Sequence, residues 1–441
     1  MSISPLSLRA TLLFWLFALA VPLQAAPNIQ HWRTDNGARV YFVPAGDLPV
    51  VDVRVVFAAG AVRDGDRPGL ATLTNHMLMF GAGDWDADAI ARRFEAVGAR
   101  TGAGAKRDMA WVSMRSLSDP QLLDPAVETL ARVLGEPSFP KKDLARERER
   151  RLVALEQEKE APDRLARRAF YRAVFGDHPY AHSPLGTAGS VKRLAREDLV
   201  RFYERFYAAG NAVVAIVGDL DRDRAKALAV RLTAGLPEGE APPPLPPVQS
   251  LDEARTVRIE HPSTQTHVLI GQPGMARGDR DYFSLYVGNH ALGGSGLVSR
   301  ISEEVREKRG LSYSAYSYFA PMERKGPFAM GMQTRNEQTE EGIRVLRQTL
   351  EHFVAEGIGA GELEATKKNI TGGFPLRIDS NREIAEYLAM IGFYELPLDY
   401  LNTFIERVES VTRQDVQDAF ARRVHPERMV TVIVGGESAG R

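Results

Sequence analysis

The sequence predicts an α+β fold of two homologous, sandwich-like α/β domains, each with a mixed sheet and several helices, joined by a proline-rich linker. Three observations lead to this prediction: a break in mid-chain, a shared closing pattern and a shared opening pattern. The break is the segment 236–247, which carries six prolines over the eleven positions 237–247. Because proline withholds hydrogen bonds from helix and sheet alike, this segment separates two halves of nearly equal length.

Both halves close with the same pattern. A helical Asp is followed 20 residues later by the Gly that ends a β-branched strand, once from Asp198 to Gly218 and again from Asp415 to Gly435. Continuous runs of Val and Ile are typical of buried strands. Each half is therefore predicted to end as a helix that leads into a buried strand.

Both halves also open alike. A predicted strand precedes an Asn-His pair, Asn75-His76 in the first half and Asn289-His290 in the second, at an offset of 214 residues. Solenoid repeats have periods of roughly 20–50 residues, so this offset indicates a duplicated domain. The predicted boundaries are a signal peptide at 1–25, an N-terminal domain at 26–235, a linker at 236–250 and a C-terminal domain at 251–441.

Composition excludes several classes of function. The 441 residues are 44% hydrophobic and 26% charged, which is typical of a globular protein. Lys and Arg total 56 against 57 Asp and Glu, so the net charge of −1 offers no basic excess for binding nucleic acid. The chain contains no cysteine, which excludes disulfides and Cys-ligated zinc and leaves His and carboxylates for any metal.

The first 25 residues have the order of a signal peptide. Arg9 precedes an apolar run from Leu12 to Val21, and a signal-peptidase cleavage site with small residues follows, ending at Ala25. Ten apolar residues are too few to span a bilayer. We expect export, most simply to a periplasm, with no membrane span after cleavage; an uncleaved anchor is the alternative.

The segment 69–81 predicts one helix, because its apolar residues recur every three or four positions. Thr72, Asn75 and His76 then share another face at positions i, i+3 and i+4. This is the spacing of H-x-x-E-H, in which two His hold Zn²⁺ and the Glu activates the metal-bound water. The spacing is present, but two of the three residue types are not.

The motif Gly69-Leu-Ala-x-x-x-x-His-Met-x-x-Phe-Gly81 and the duplicated plan resemble the insulinase/pitrilysin family of zinc peptidases. In active members, His stands at the position of Thr72, Glu stands at that of Asn75, and the third zinc ligand is a Glu on a downstream helix. The resemblance matches that Glu to Glu156, 80 residues after His76.

These departures predict a chain that does not hydrolyse peptides alone. A Thr hydroxyl is a poor zinc ligand, so Thr72 removes one of the three protein ligands usual in catalytic sites. The amide of Asn75 cannot take a proton from water, which removes the general base. We expect no cofactor in this chain, and His76 to be a satisfied histidine near the domain core.

The second half carries a second candidate segment. A glycine-rich turn at 293–296 leads into a helix predicted from about Ser295, with a break at Gly310 and a strand beyond. The turn lacks the Lys-Ser/Thr of a phosphate loop and the Rossmann spacing, so we do not expect nucleotide binding. In the family, an Arg late in this helix and a Tyr seven residues on reach towards the substrate backbone, and Arg306 and Tyr313 match both.

A guanidinium and a phenol can stabilise charge on a peptide carbonyl, which suits this family role. The alternative is that Arg306 pairs with Glu303 on a solvated helix and Tyr313 packs in the sheet. In the first half, the segments 98–105 and 109–114 stand where the family has its substrate-binding edge strand, with which an extended peptide pairs through backbone groups.

Some bacterial relatives divide the labour between two paralogous chains, one with the zinc motif and the other with the Arg/Tyr pair. The resemblance implies that this chain is the second kind: half a clam shell that closes on a zinc-bearing paralogous partner in a heterodimer and contributes Arg306 and Tyr313 to peptide hydrolysis. Two alternatives remain open. One is a peptide-binding or scaffold protein of the cell envelope; the other is an active zinc peptidase that uses His76, Glu156 and an unidentified residue.

Overall fold

The computed structural model describes residues 27–436, so the predicted signal peptide lies outside the described residues. The strands are β1 (Gln30–Arg33), β2 (Arg39–Pro44), β3 (Val50–Phe57), β4 (Gly81–Ala82), β5 (Trp85–Asp86), β6 (Arg100–Ala105), β7 (Ala110–Leu117), β8 (Ala212–Gly218), β9 (Arg255–Ile259), β10 (Gln265–Pro273), β11 (Ser314–Phe319), β12 (Pro327–Arg335) and β13 (Val430–Val434).

The helices are α1 (Leu70–Met77), α2 (Ala87–Ala96), α3 (Pro120–Gly135), α4 (Lys141–Lys159), α5 (Pro162–Phe175), α6 (Ala188–Arg193), α7 (Arg196–Phe206), α8 (Arg222–Thr233), α9 (Tyr282–Asn289), α10 (Arg300–Ser302), α11 (Thr339–Glu356), α12 (Ala360–Gly373), α13 (Asn381–Phe393), α14 (Tyr400–Ser410) and α15 (Arg413–Arg423). Among these described residues, no helix is long and apolar enough to cross a membrane.

The sheet topology confirms the predicted pair of mixed-sheet domains. The first sheet has the order β1-β2-β8-β3-β7-β6 and the second the order β9-β13-β10-β12-β11. Apart from the additional edge strand β1, the two orders are the same. Each sheet has one parallel pair, β2 with β8 and β9 with β13, while its other neighbours run antiparallel.

The two halves exchange a helix. Helix α5 of the first half packs on β10 and β13 of the second sheet, and α13 of the second half packs on β3 and β8 of the first sheet. Glycines allow both approaches: a Cβ on Gly271 would lie 2.8 Å from the ring of Phe170, and one on Gly392 would lie 2.5 Å from the ring of Tyr41. The first half keeps one hydrophobic cluster of its own, and two further clusters combine residues of both halves.

Two predicted helices are shorter than the sequence pattern suggested. The helix predicted over 69–81 ends at Met77, and a 3-10 turn at Leu78–Phe80 leads into β4. The helix predicted from Ser295 begins as α10 at Arg300, where the Ser299 hydroxyl accepts a hydrogen bond from the backbone of Ser302. It continues as a π-turn over 303–307.

Candidate functional site

The residues of the altered zinc motif line a cavity of about 330 Å³. Helix α1 supplies Thr72, Asn75 and His76 to one wall, as the spacing predicted. The edge strand β6 forms a second wall with residues 103–105, and α4 forms a third. The residues that α4 contributes are Glu147, Arg150 and Arg151.

A buried carboxylate fixes the start of α1. The two carboxylate oxygens of Asp64 accept hydrogen bonds of 2.7 Å from the backbone N–H groups of Gly69 and Ala71. Gly69 precedes the helix at φ 96°, a left-handed conformation that costs glycine little. Burial raises the pKa of Asp64 to about 7, against the lowering effect of these hydrogen bonds and of Arg151.

Asn75 is held in the protein interior, where its residue is only 1% exposed. Its amide nitrogen donates to the hydroxyl of Tyr207 at 3.1 Å and to the carbonyl of Trp111 at 3.3 Å. Both amide protons are thus committed to the protein. A neutral amide in this position has no proton-accepting role to offer a water molecule.

A guanidinium occupies the side of the cavity next to Thr72. Arg151 donates to the Thr72 hydroxyl at 2.5 Å and to the carbonyl of Gly69 at 3.0 Å, and the Thr72 hydroxyl donates in turn to the carbonyl of Pro184 at 2.6 Å. Burial lowers the pKa of Arg151 to about 10, which still leaves it protonated at neutral pH. The cavity therefore holds a fixed positive charge of its own.

His76 contacts a carboxylate that the motif comparison did not select. Its Nε2 atom lies 3.1 Å from Glu147 Oε2, and its side chain is 52% exposed, so it lines the cavity rather than the core. The Glu147 side chain is buried and also accepts from Arg150 at 2.8 Å. His76 and Glu147 form a satisfied pair at the cavity wall.

The structure does not bring Glu156 to this cluster. Its side chain is 62% exposed and pairs with Lys159 at 2.8 Å. The reason is the helical period, since the buried positions of α4 are 144, 147, 155 and 158, and 156 lies on another face. Glu147, one turn before Arg151, takes the place beside His76 that the sequence comparison assigned to Glu156.

These residues do not fit a zinc ion. Within residues 27–436, no three His, Cys, Asp or Glu side chains come together in a way that could hold a metal. His76 and Glu147 offer two ligands, one fewer than the three protein ligands usual in catalytic zinc sites. The Arg151 guanidinium adds a positive charge, which would repel a cation.

Arg306 and Tyr313 lie against each other in the second half. The guanidinium carbon of Arg306 is 4.5 Å from the centroid of the Tyr313 ring, a cation–π contact. Tyr313 is 83% exposed and lies in the bend just before β11 rather than within the strand. Arg306 pairs with Glu307 at 3.3 Å and not with Glu303, whose carboxylate instead contacts Lys308.

One nitrogen of Arg306 has an unused donor. Its Nη1 atom is buried and finds no hydrogen-bond partner within the described part of the chain. A buried donor without an acceptor costs about 1–3 kcal/mol. Because Nη1 is buried, a carbonyl or carboxylate oxygen of a ligand could accept from it only after the Arg306 side chain had turned towards solvent.

The segment predicted as a substrate-binding edge is an edge strand in the structure. Strand β6 pairs with β7 on one side only and ends the first sheet. It carries small residues at 102–105, which leave its outer backbone groups accessible. A second cavity, of about 450 Å³, opens along the same strand between the sheet and α13.

Sequence reasoning missed Glu147 and Arg151. Both belong to the charge-rich run 141–151, whose composition is typical of a solvated helix face, and charge alone does not separate buried from exposed positions. The usable signal is spacing: Leu144, Glu147, Arg151 and Leu155 recur at three- and four-residue steps on one face of α4.

Family comparisons agree with this architecture. A sequence model of the insulinase family, peptidase family M16, matches residues 46–188, and a model of the peptidase M16 inactive domain matches residues 193–370. A crystal structure of a peptidase M16 inactive domain from Pseudomonas fluorescens is 40% identical, covering 94% of this chain and 100% of that chain with a TM-score of 0.91.

The similar proteins include some named as zinc proteases and one named as a non-peptidase homolog. A Streptomyces coelicolor protein named an uncharacterized zinc protease is 28% identical over 379 residues, 83% of this chain and 80% of the relative. A Helicobacter pylori protein named a non-peptidase homolog is 24% identical over 376 residues, 84% and 85% of the two chains. The periplasmic protease PqqL of Escherichia coli shares the fold, with a TM-score of 0.77 at 15% identity over 94% of this chain and 46% of that one.

Proposed function

The chain belongs to the insulinase family, peptidase family M16, as a peptidase-like homologue of the inactive kind, and we propose that it is the non-catalytic subunit of an exported heteromeric zinc peptidase. In this role it binds peptide and supplies Arg306 and Tyr313 to a paralogous partner. The partner carries His-x-x-Glu-His and its Zn²⁺.

One contrast carries the proposal. The altered positions of the motif cavity offer no group that could activate water. Asn75 is hydrogen-bonded to Tyr207 and Trp111, and Arg151 places a positive charge next to Thr72. The Arg306/Tyr313 pair is less committed: the Tyr313 phenol is exposed, and the buried Nη1 donor of Arg306 has no acceptor within the described residues. A chain that has lost its own water-activating groups but kept donors for a peptide carbonyl suits a divided active site.

The direct test is peptide cleavage in a mixed pool of unstructured peptides with zinc present. This chain, a paralogue with the zinc motif and the two combined are compared. We expect cleavage by the mixture that exceeds cleavage by the paralogue alone, and none by this chain alone. Arg306→Ala and Tyr313→Phe should each reduce the activity of the mixture by about 10-fold or more, the scale of losing a transition-state donor.

Arg309→Ala is the matched control. Arg309 belongs to the same segment, but its guanidinium is occupied by Glu304 at 2.6 Å. Its removal should leave the cleavage rate of the mixture within about twofold. If the mixture is no more active than the paralogue alone, the proposal is wrong and the peptide-binding or scaffold role takes its place. Cleavage by this chain alone would instead support the alternative of an active peptidase with an atypical site.

A further inference from the structure

The second cavity along β6 has a strongly cationic lining. Five positive side chains face it, against the two carboxylates of Asp52 and Glu386. The positive side chains are Arg54, Arg100, Lys106, Arg115 and Arg382. Since the whole chain has a net charge of −1, this excess is local and is not a reflection of composition.

The sheet register explains how these charges come to one face. Arg100 of β6 lies opposite Arg115 of β7, which lies opposite Asp52 of β3. Side chains at alternate positions of a strand share a face, so Arg54 lies on this face as well. The opposite face is apolar and buried, as at Val112 and Met114.

Two of the cations are available to a ligand. Arg115 is held by Asp52 in a two-pronged pair with distances of 2.9 to 3.1 Å, and Arg54 and Arg382 pair with Glu386 at 3.1 Å and 3.7 Å. Arg100 and Lys106 are exposed, and within residues 27–436 neither makes a side-chain ion pair. Lys106 approaches only the Trp111 ring, with Nζ 5.7 Å from the ring centroid.

Glycines keep the groove open beside the edge strand. Gly102 and Gly104 are on the same face of β6 as Arg100 and present no side chain there. A Cβ on Gly104 would lie 2.4 Å from the Trp111 ring. The indole therefore lies flat along β6, and the outer edge of the strand remains free for backbone pairing.

The motif cavity, on the other side of β6, also has an excess of positive charge. Arg150 and Arg151 line it with the single carboxylate Glu147. A peptide that extends along the outer edge of β6 places its side chains alternately towards the two cavities. Both sets of side chains would meet excess positive charge.

We propose that the ligand of the β6 edge is an acidic peptide, bound as an added strand with its Asp or Glu side chains directed to Arg100 and Lys106. This inference rests on the peptide-binding role proposed above and names its substrate class. Electrostatic complementarity of this kind selects among ligands that share the same backbone pairing. A neutral or basic peptide pairs with the same edge but leaves these cations without a partner.

Binding of labelled peptides, measured by fluorescence anisotropy on the full chain, tests the inference. The probe is a peptide of about eight residues, the length of a long strand, that alternates Thr and Glu. Counterparts replace every Glu by Gln or by Lys. We expect the Glu peptide to bind about 10-fold more tightly than the Gln peptide at low salt, with the Lys peptide weakest and the differences shrinking at high salt.

The Arg100→Ala/Lys106→Ala double variant should remove most of the preference for Glu over Gln while leaving affinity for the Gln peptide within about twofold. Arg280→Ala/Arg344→Ala is the matched control, because it removes two exposed cations that line neither cavity, and its preference should equal that of the parent. Equal binding of all three peptides would refute the acidic preference while leaving peptide binding intact. Failure of every peptide to bind would instead count against peptide binding itself.

Discussion

Raising the pH from about 4 to about 7 should destabilise this protein through one buried carboxyl group. Asp64 is 3% exposed and has a pKa raised from 3.8 to about 7 by burial. In that window the folded chain holds a proton that the unfolded chain has released. Stability therefore falls as pH rises, because the folded state binds more protons than the unfolded state.

The magnitude follows from the size of the shift. At about 1.4 kcal/mol per pKa unit, a rise from 3.8 to about 7 costs about 4 kcal/mol of unfolding free energy once the group is fully ionised. The ionised carboxylate still accepts from Gly69 and Ala71, so α1 stays capped. The cost is the burial of the charge, not the loss of the cap.

Urea unfolding at several pH values between 4 and 8 measures the effect. Asp64→Asn should reduce stability by about 1–3 kcal/mol at low pH, because one amide oxygen must serve two N–H donors. It should also lack the decline with pH, so the stability of the parent, which falls by about 4 kcal/mol, should meet and then drop below that of the variant as pH rises. Asp66→Asn is the control: its side chain is 96% exposed, and it should keep the pH profile of the parent.

Parallel pH profiles for the parent and Asp64→Asn would refute this reasoning. They would mean that the two backbone hydrogen bonds and the charge of Arg151 balance the effect of burial, so that Asp64 ionises in the folded chain as it does in the unfolded one.

Three further predictions concern the same architecture. Thr72→His combined with Arg151→Ala should create a zinc site, because an imidazole then joins His76 and Glu147. Calorimetry should detect one equivalent of Zn²⁺ bound to the double variant. Zinc binding by the parent would contradict the conclusion that the charge of Arg151 excludes a cation. A chelator should leave the melting temperature of the parent unchanged. Gly392→Leu should destabilise by about 1–3 kcal/mol, because its Cβ would already lie 2.5 Å from an aromatic ring of the first sheet; an unaltered thermal midpoint would show that α13 can move away.

The local sequence pattern was sufficient to predict much of this fold. The equal Asp-to-Gly intervals and the repeated Asn-His pairs predicted two related domains, and the matching strand orders of the two sheets confirm them. The helical spacing of Thr72, Asn75 and His76 predicted a common face, and the three do line one cavity. Such inferences succeed because strand and helix periods are properties of short segments.

The sequence by itself determined that Asn75 offers no proton acceptor for water and that Thr72 offers no strong zinc ligand, since residue type decides proton affinity and ligand chemistry wherever the side chain lies. Only the tertiary structure decided that Glu147, and not Glu156, meets His76, and that Arg151 brings a positive charge to Thr72. It also decided the exchange of α5 and α13 and the collection of cations along β6. These contacts depend on which helix face and which strand register meet across long sequence separations, and no local period encodes that choice.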